Sequence, residues 1–184
     1  AMVKGFQGND LIESNSIAAC AKHFVGYGAV EGGRDYNSTS VTPYALRNTY
    51  LVPFQKAIDA GVLTVMTSFN DNDGIPSSGN EYLLKQVLRK ELGFNGLIVS
   101  DWNSVGEMIT HGFAVDGKDA ARLAANAGLD MEMNTELYVK YLKQLVEEGK
   151  VSIADIDTSV RYILNIKFRL GLFDNRYLTV SDKS

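Results

Sequence analysis

An α/β fold with about four parallel strands and alternating helices is the class this sequence predicts, on three observations. Four short β-rich apolar runs recur, at Ile17 to Val25, Val62 to Phe69, Leu97 to Ser100 and Leu129 to Met133, each followed by turn residues and then a helical pattern. The helical stretches between them begin and end on residues suited to caps. The chain has 184 residues, 45% of them hydrophobic and 10% aromatic, enough material for one core. Four strands of this kind make either a small open doubly wound sheet or half of an eight-stranded barrel. Half a barrel leaves two raw sheet edges, and pattern alone does not decide between the two.

The first strand run, through Ala18, Ala19, Cys20 and Ala21, leads into the long, polar, glycine-rich loop 26–39. Long loops after parallel strands commonly serve binding. Thr42-Pro43 reads as the cap and first turn of a helix toward Ala60, ended by Gly61 and kinked or divided by Pro53. After the second strand run, Asn80 can cap a helix whose Leu83, Leu84, Val87 and Leu88 share a face before Gly93. Gly96 opens the third strand run. A helix over Ala120 to Ala127 has small residues suited to close packing on a sheet, and the fourth strand run follows it. Tyr138, Tyr141, Leu142 and Leu145 follow helical spacing, with Gly149 as the stop. Ser152 to Asp155 resembles a capping box at the head of a final helix through Val160, Ile163 and Leu164.

Composition excludes some function classes. With 18 Lys+Arg against 22 Asp+Glu the net charge is -4, so nothing favours a polyanionic partner such as nucleic acid. No apolar run reaches about 18 residues and the start lacks a basic-then-apolar pattern, so neither a membrane span nor a signal peptide is expected within this sequence. If the chain is part of a longer product, that says nothing about export. The lone Cys20, in an apolar run, is expected to be a buried inert thiol. With only His23 and His111 and no paired cysteines, no metal is expected. No other cofactor is expected: Gly26-Tyr27-Gly28 follows a strand, but Glu31 stands where a dinucleotide fingerprint needs its third glycine. Asn37-Ser38-Thr39 matches the N-glycosylation sequon, a pattern short enough to arise by chance.

Two places can carry chemistry. The run Gly96-Leu97-Ile98-Val99-Ser100-Asp101-Trp102 should put Asp101 at the carboxyl end of a buried strand, beside the only tryptophan. In barrels and open α/β sheets that edge is where sites are built. A carboxylate next to a flat aromatic face suits a sugar, the acid for the anomeric carbon and the ring for apolar C–H surfaces. The alternative is that Asp101 caps a helix starting near Val105 or Glu107. Lys22-His23-Phe24 ends the first strand, where two adjacent donors could hold a polyol. Side chains alternate along a strand, so both face the mouth only if the strand is ending there. Lys22 could instead be a Schiff-base lysine of an aldolase, or a salt-bridged lysine beside a satisfied histidine. Asp130 and Glu132 alternate with Leu129, Met131 and Met133, and share a side on which they line a mouth or merely fill a polar end.

Five stretches taken together, KHFVGYG at 22–28, GGRDYN at 32–37, VMTSFN at 65–70, LRKELGFNGLIVSDW at 88–102 and NAGLDMEM at 126–133, resemble glycoside hydrolase family 3 in order and spacing, over about Met2 to Tyr177. The resemblance implies the C-terminal half of a TIM-like (β/α)8 barrel, a partial domain over 1–178 with 179–184 as tail or linker. It implies a retaining exo-β-glycosidase with Asp101 as nucleophile. Lys22 and His23 would hold the hydroxyls of the cleaved sugar, Trp102 would pack near it, and Phe69 would stand where many members have tyrosine. Arg34 falls in a motif that structures a loop first and binds substrate second. The loop after KHF lacks the histidine of N-acetylglucosamine-removing members, so a β-glucosidase is expected, then a β-xylosidase, then an N-acetyl-β-glucosaminidase.

The expected substrate is a β-linked gluco-oligosaccharide or glucoside, and no cofactor is implied. A retaining mechanism needs a second carboxylic group about 5 to 5.5 Å from the first. In the family's β-glucosidase branch that acid comes from a further domain, so the remaining barrel half and a C-terminal domain, or a second chain, are the expected partners. Glu132 is the competing acid within the chain. A non-catalytic half-barrel that binds carbohydrate or serves assembly stays open.

Overall fold

Residues 1–174 are described in the computed structural model of this chain. Helix α1 (Met2–Gln7) leads to strand β1 (Cys20–Phe24). Sequence gave no sign of α1, and one side chain explains its place. Buried Gln7 donates Nε2 to Gly61 O (2.9 Å), and its Oε1 accepts from Ala19 N (3.2 Å) and Leu63 N (3.1 Å), stitching together the starts of two strands.

The helical segment after the loop divides, as Pro53 requires. Helix α2 (Pro43–Ala45) is capped by Thr42 Oγ1, which accepts from Ala45 N at 3.2 Å. A π-type turn over Leu46–Tyr50 and then α3 (Val52–Asp59) follow. Pro53 has no N–H to continue an α-helical ladder. The chain widens just before it, with Leu51 N donating to Leu46 O at 2.8 Å.

Strand β2 (Thr64–Thr67) precedes a small antiparallel hairpin of β3 (Asp71–Asn72) and β4 (Ile75–Pro76). A π-type helix over Tyr82–Glu91 begins where Asn80 Oδ1 accepts from Leu83 N (3.0 Å), the cap expected from sequence. Strand β5 (Leu97–Trp102) is followed by α4 (Ser104–Thr110) and α5 (Gly117–Ala127), the latter capped by Asp116 Oδ1 on Asp119 N (2.8 Å). After β6 (Met131–Met133) come α6 (Leu137–Glu147) and α7 (Ile153–Arg169). Ser152 caps α7 through Ala154 N (3.2 Å).

The four main strands form one parallel sheet in the order β1-β2-β5-β6, so all of their carboxyl ends lie along one edge. Helices pack on one face. Phe24, Val65 and Ile98 of the sheet are fully buried with Leu84, Leu88, Val105, Met108 and Ala120, each large side chain contributing roughly 1.5 to 3 kcal/mol. Of the small residues of α5 expected to pack closely on the sheet, Ala120, Ala124 and Ala127 join the core that holds Val65 and Ile98, whereas Ala121 and Ala125 face the other way and meet Leu145 and Val151. Among the described residues β1 and β6 pair on one side only. This is the α/β arrangement of four parallel strands with alternating helices.

Three expectations are corrected. The first strand starts at Cys20 rather than Ile17, which is exposed. Cys20 is exposed rather than buried, because it lies on the sheet face opposite Val65 and Ile98, a face that no helix covers among the described residues. The last strand is shorter than expected, Met131–Met133, although Asp130 N still donates to Ile98 O at 3.1 Å. The boundary placed at residues 178 and 179 lies outside the described residues.

Candidate active site

Asp101 sits at the carboxyl end of β5, only 8% exposed. Its Oδ1 accepts from Trp102 N at 2.7 Å. Its Oδ2 lies 3.2 Å from His23 Nε2, yet out of hydrogen-bonding alignment, so this oxygen is buried with no hydrogen-bond partner. Helix α4 begins at Ser104, with Asn103 before it in the left-handed region at φ 58°. Asp101 therefore does not cap it, and the capping alternative falls away. An orphaned buried carboxylate oxygen costs folding free energy, so its place is not explained by stability.

The rim that holds Asp101 is tied by hydrogen bonds to its neighbours. A register shift between Val99 and Trp102 bulges β5 against β6. Ser100 Oγ donates to Asp101 O (2.8 Å) and accepts from Met133 N (2.7 Å), and Asn103 N donates to Met133 O (3.1 Å). Behind it runs a buried row of hydroxyls, Thr67 to Ser78 at 2.7 Å and Ser78 to Ser104 at 2.7 Å. That row ties the end of β2 to the first residue of α4.

Lys22 and His23 share one hollow of about 290 Å³ with Tyr27, although they are neighbours in a strand. The register of β1 on β2 shifts between Ala21 and Phe24, and such a bulge re-aims side chains that strict alternation would separate. His23, not Lys22, contacts Asp101. Burial lowers the imidazole's pKa below its ordinary 6.5, outweighing the opposing pull of Asp101, so His23 is neutral at pH 7. Lys22 is exposed.

Trp102 follows Asp101 but is 61% exposed. Phe69, half-buried, belongs instead to a row of rings that sequence reading missed. The His23 and Tyr27 centroids are 5.1 Å apart, Tyr27 and Phe69 6.2 Å, and Phe69 and Tyr36 4.5 Å. Asp35 accepts a hydrogen bond from Tyr27 Oη, which pushes the phenol's pKa up to about 12. Tyr27, Asp35 and Tyr36 all come from the loop after β1, whose length and polarity were the available signal. Arg34 of the same loop is exposed.

The two acids of the last strand run do not face the mouth. Asp130 Oδ2 pairs with Arg89 Nη2 (2.6 Å) and accepts from Ile98 N (2.7 Å), and its Oδ1 accepts from Ser159 Oγ (3.0 Å). Burial nonetheless raises its pKa above the ordinary value. Glu132 Oε1 accepts from Tyr138 N at 2.9 Å in the first turn of α6, and its Oε2 accepts from Thr135 Oγ1. Both carboxylates are occupied by the helix layer, the second of the two roles their alternation allowed.

The match to known proteins is extensive. The family model described as the glycosyl hydrolase family 3 N terminal domain matches residues 1–166. The chain is 43% identical over 182 residues to a periplasmic β-glucosidase of Salmonella typhimurium, covering 99% of this chain and 24% of that protein. It is 37% identical to a putative β-xylosidase of Formosa agariphila, over 98% of this chain and 24% of that protein. A crystal structure of a β-glucosidase from Listeria innocua in complex with glucose superposes with a TM-score of 0.95 at 44% identity, covering 99% of this chain and 26% of that one. The chain thus spans about a quarter of the length of these relatives. With the match reaching across nearly the whole sheet and its helices, the chain belongs to glycosyl hydrolase family 3, within the N-terminal domain of that family.

Proposed function

We propose that this chain carries the nucleophile side of a retaining exo-β-glycosidase, a β-glucosidase that removes a terminal non-reducing sugar. The observation that carries the reading is Asp101 Oδ2, buried and without a hydrogen-bond partner at the carboxyl edge of a parallel sheet. Trp102 N fixes the other oxygen, leaving Oδ2 free for the anomeric carbon. As the Oδ2–C1 bond forms, the glycosidic C1–O bond breaks, and the departing oxygen takes a proton from a second carboxylic acid. Water activated by that same group then attacks C1, releasing the sugar with its configuration retained and restoring the Asp101 carboxylate. Lys22 and neutral His23 hold the sugar's hydroxyls, while Phe69 and Trp102 give it apolar walls. The acid/base comes from polypeptide outside this chain, and so does the rest of the barrel. The occupied states of Asp130 and Glu132 support the first statement, and the pairing of β1 and β6 on one side only among the described residues supports the second.

The test is an activated 2-deoxy-2-fluoro-β-glucoside, applied to the protein together with the polypeptide that completes its barrel and read by intact mass and peptide mapping. One sugar per protein on Asp101, absent from Asp101→Asn, is the expected result. A sugar on another residue would overturn the assignment of Asp101 as nucleophile, and no sugar on any residue would leave a carbohydrate-binding or assembly module. A β-xylosidase is the second reading, favoured by similarity to the Formosa agariphila protein. The ratio of kcat/KM for matched aryl glucoside and xyloside decides between the two.

A further inference from the structure

Pairing of β1 on β2 passes from Ala21 with Val65 to Phe24 with Thr67, so an extra residue of β1 is accommodated at Lys22-His23, where both side chains turn into one hollow. A bulge of this kind takes backbone groups out of the ladder, and buried ones need other partners. Val25, one residue past the last pair, is fully buried. Phe24 O accepts from Ser68 N at 2.7 Å. Val25 O accepts from three side chains of a single segment, Ser68 Oγ (3.3 Å), Asn70 Nδ2 (3.3 Å) and Asn72 Nδ2 (3.2 Å). Asn72 reaches furthest of the three. Its Nδ2 also donates to Ser77 Oγ (3.0 Å), and its Oδ1 accepts from Thr39 Oγ1 (3.0 Å) at the far end of loop 26–39. It lies against Gly26, which turns at φ 85° and where a Cβ would stand 2.9 Å from Asn72 Oδ1. One half-buried amide therefore meets the end of β1, the turn that follows and the last residue of the loop.

We propose that Asn72 is a positioning residue for His23: by holding the Val25 carbonyl and closing on Gly26 it fixes the end of β1, and with it the imidazole 3.2 Å from Asp101 Oδ2. Asn72 acts through the backbone and not on the sugar. Phe24, between His23 and the held carbonyl, is fully buried with its ring edge-on to Phe54 at 5.0 Å between centroids. A shift at Val25 is therefore passed back to His23 rather than absorbed at Phe24. Misplacement of a site group by about 1 Å costs up to about 10²-fold in rate. The groups that face His23 are Asp101 of β5, Lys22 of its own strand, and Asp35 and Tyr27 of the loop. Burial outweighs them in setting its proton affinity, so an imidazole released toward solvent titrates closer to its ordinary value. The inference rests on the β-glycosidase reading above.

The experiment measures melting temperature and the pH dependence of kcat/KM for an aryl β-glucoside, on the protein together with the polypeptide that completes its site. Asn72→Leu, similar in size but without the amide, should lower kcat/KM by roughly tenfold and move the acid limb of the profile up toward about pH 6.5. Asn72→Ala, which adds no bulk, should do the same. Ser38→Ala serves as the control, since it removes the loop's bond from Ser38 Oγ to Asp71 Oδ2 (2.6 Å) and touches neither Asn72 nor Val25. It should lower the melting temperature and leave both kcat/KM and the acid limb in place. A lower melting temperature alone in the Asn72 variants, or the same limb shift from Ser38→Ala, would overturn the positioning role while the glycosidase reading stands. Failure of the unmodified protein to hydrolyse the glucoside, with no sugar trapped on Asp101, would overturn both.

Discussion

His23 Nε2 stands 3.2 Å from Asp101 Oδ2, and burial and that carboxylate pull the imidazole's proton affinity in opposite directions. Burial wins, so the folded protein binds the His23 proton less tightly than the unfolded chain, whose histidine titrates near 6.5. Between the lowered folded pKa and 6.5 the unfolded state holds more protons, and stability rises with pH across that window. The contribution is complete above pH 6.5 and is lost as pH falls through the folded value. Urea midpoints measured from pH 7 down to 5 should therefore decline, and His23→Gln should flatten the decline. An identical slope in the variant would show that another group is responsible.

Asp101→Asn should separate function from stability. An asparagine keeps the oxygen that accepts from Trp102 N and replaces the unpartnered buried oxygen with an amide able to donate to neutral His23. Relief of an unsatisfied buried acceptor is worth about 1 kcal/mol or somewhat more. The variant should lose turnover while unfolding at the same or higher temperature, the trade expected where a site is kept against stability. Calorimetry beside an activity assay checks both halves, and clear destabilisation would mean that Asp101 is a structural carboxylate.

Arg89 supports the strand from below. Its guanidinium bonds Phe94 O (3.1 Å), Gly96 O (2.6 Å) and Asp130 (2.6 Å), and lies 4.1 Å from the centre of the Tyr162 ring. Removing it strands Asp130 in the core without its counter-ion. Arg89→Leu should cost about 3 to 5 kcal/mol, and the double variant Arg89→Leu with Asp130→Asn should recover part of that in a denaturant titration. No recovery would place the loss in the ring stacking and carbonyl contacts instead.

Gly96 opens β5 because nothing larger fits there. A Cβ at this position would lie 2.1 Å from Leu63 O and 2.7 Å from the Phe94 ring. The first neighbour is backbone of the adjacent strand, which cannot give way without parting β2 from β5. Gly96→Ala should leave little soluble protein on expression, and a normal yield with an unchanged melting temperature would contradict the close approach.

What was readable in the sequence was local, and what was not depended on contacts across the chain. The β5 run ended on Asp101 as its apolar stretch and opening glycine implied, and Asn80, Thr42 and Ser152 capped the helices they preceded, since a cap spans only two or three residues. Pro53 divided its helix for the same reason. Helix α1 escaped notice because Gln7 earns its place by bonds to residues 12, 54 and 56 positions away. Cys20 was misjudged because an apolar neighbourhood in sequence does not say whether anything covers that face of the sheet. In the site, Lys22, His23 and Asp101 could be picked out as residue types at strand ends. The Phe69–Tyr36 contact, bridging 33 positions, had no local trace.

Glu132 is where residue type alone invited a catalytic role and the surroundings argue for another. Its Oε1 accepts from Tyr138 N and its Oε2 from Thr135 Oγ1, so the carboxyl serves the exposed amides at the head of α6 as a cap residue would. Burial raises its pKa, opposed by those backbone hydrogen bonds. Glu132→Ala should therefore cost about 0.5 to 2 kcal/mol of stability. Glu132→Gln, which keeps an acceptor oxygen but no acidic proton, should cost less. In neither variant should the rate ratio between glucosides with poor and good leaving groups change. A general acid behaves otherwise, since its loss slows poor leaving groups far more than good ones, and a ratio that moved selectively in Glu132→Gln would return this residue to the reaction.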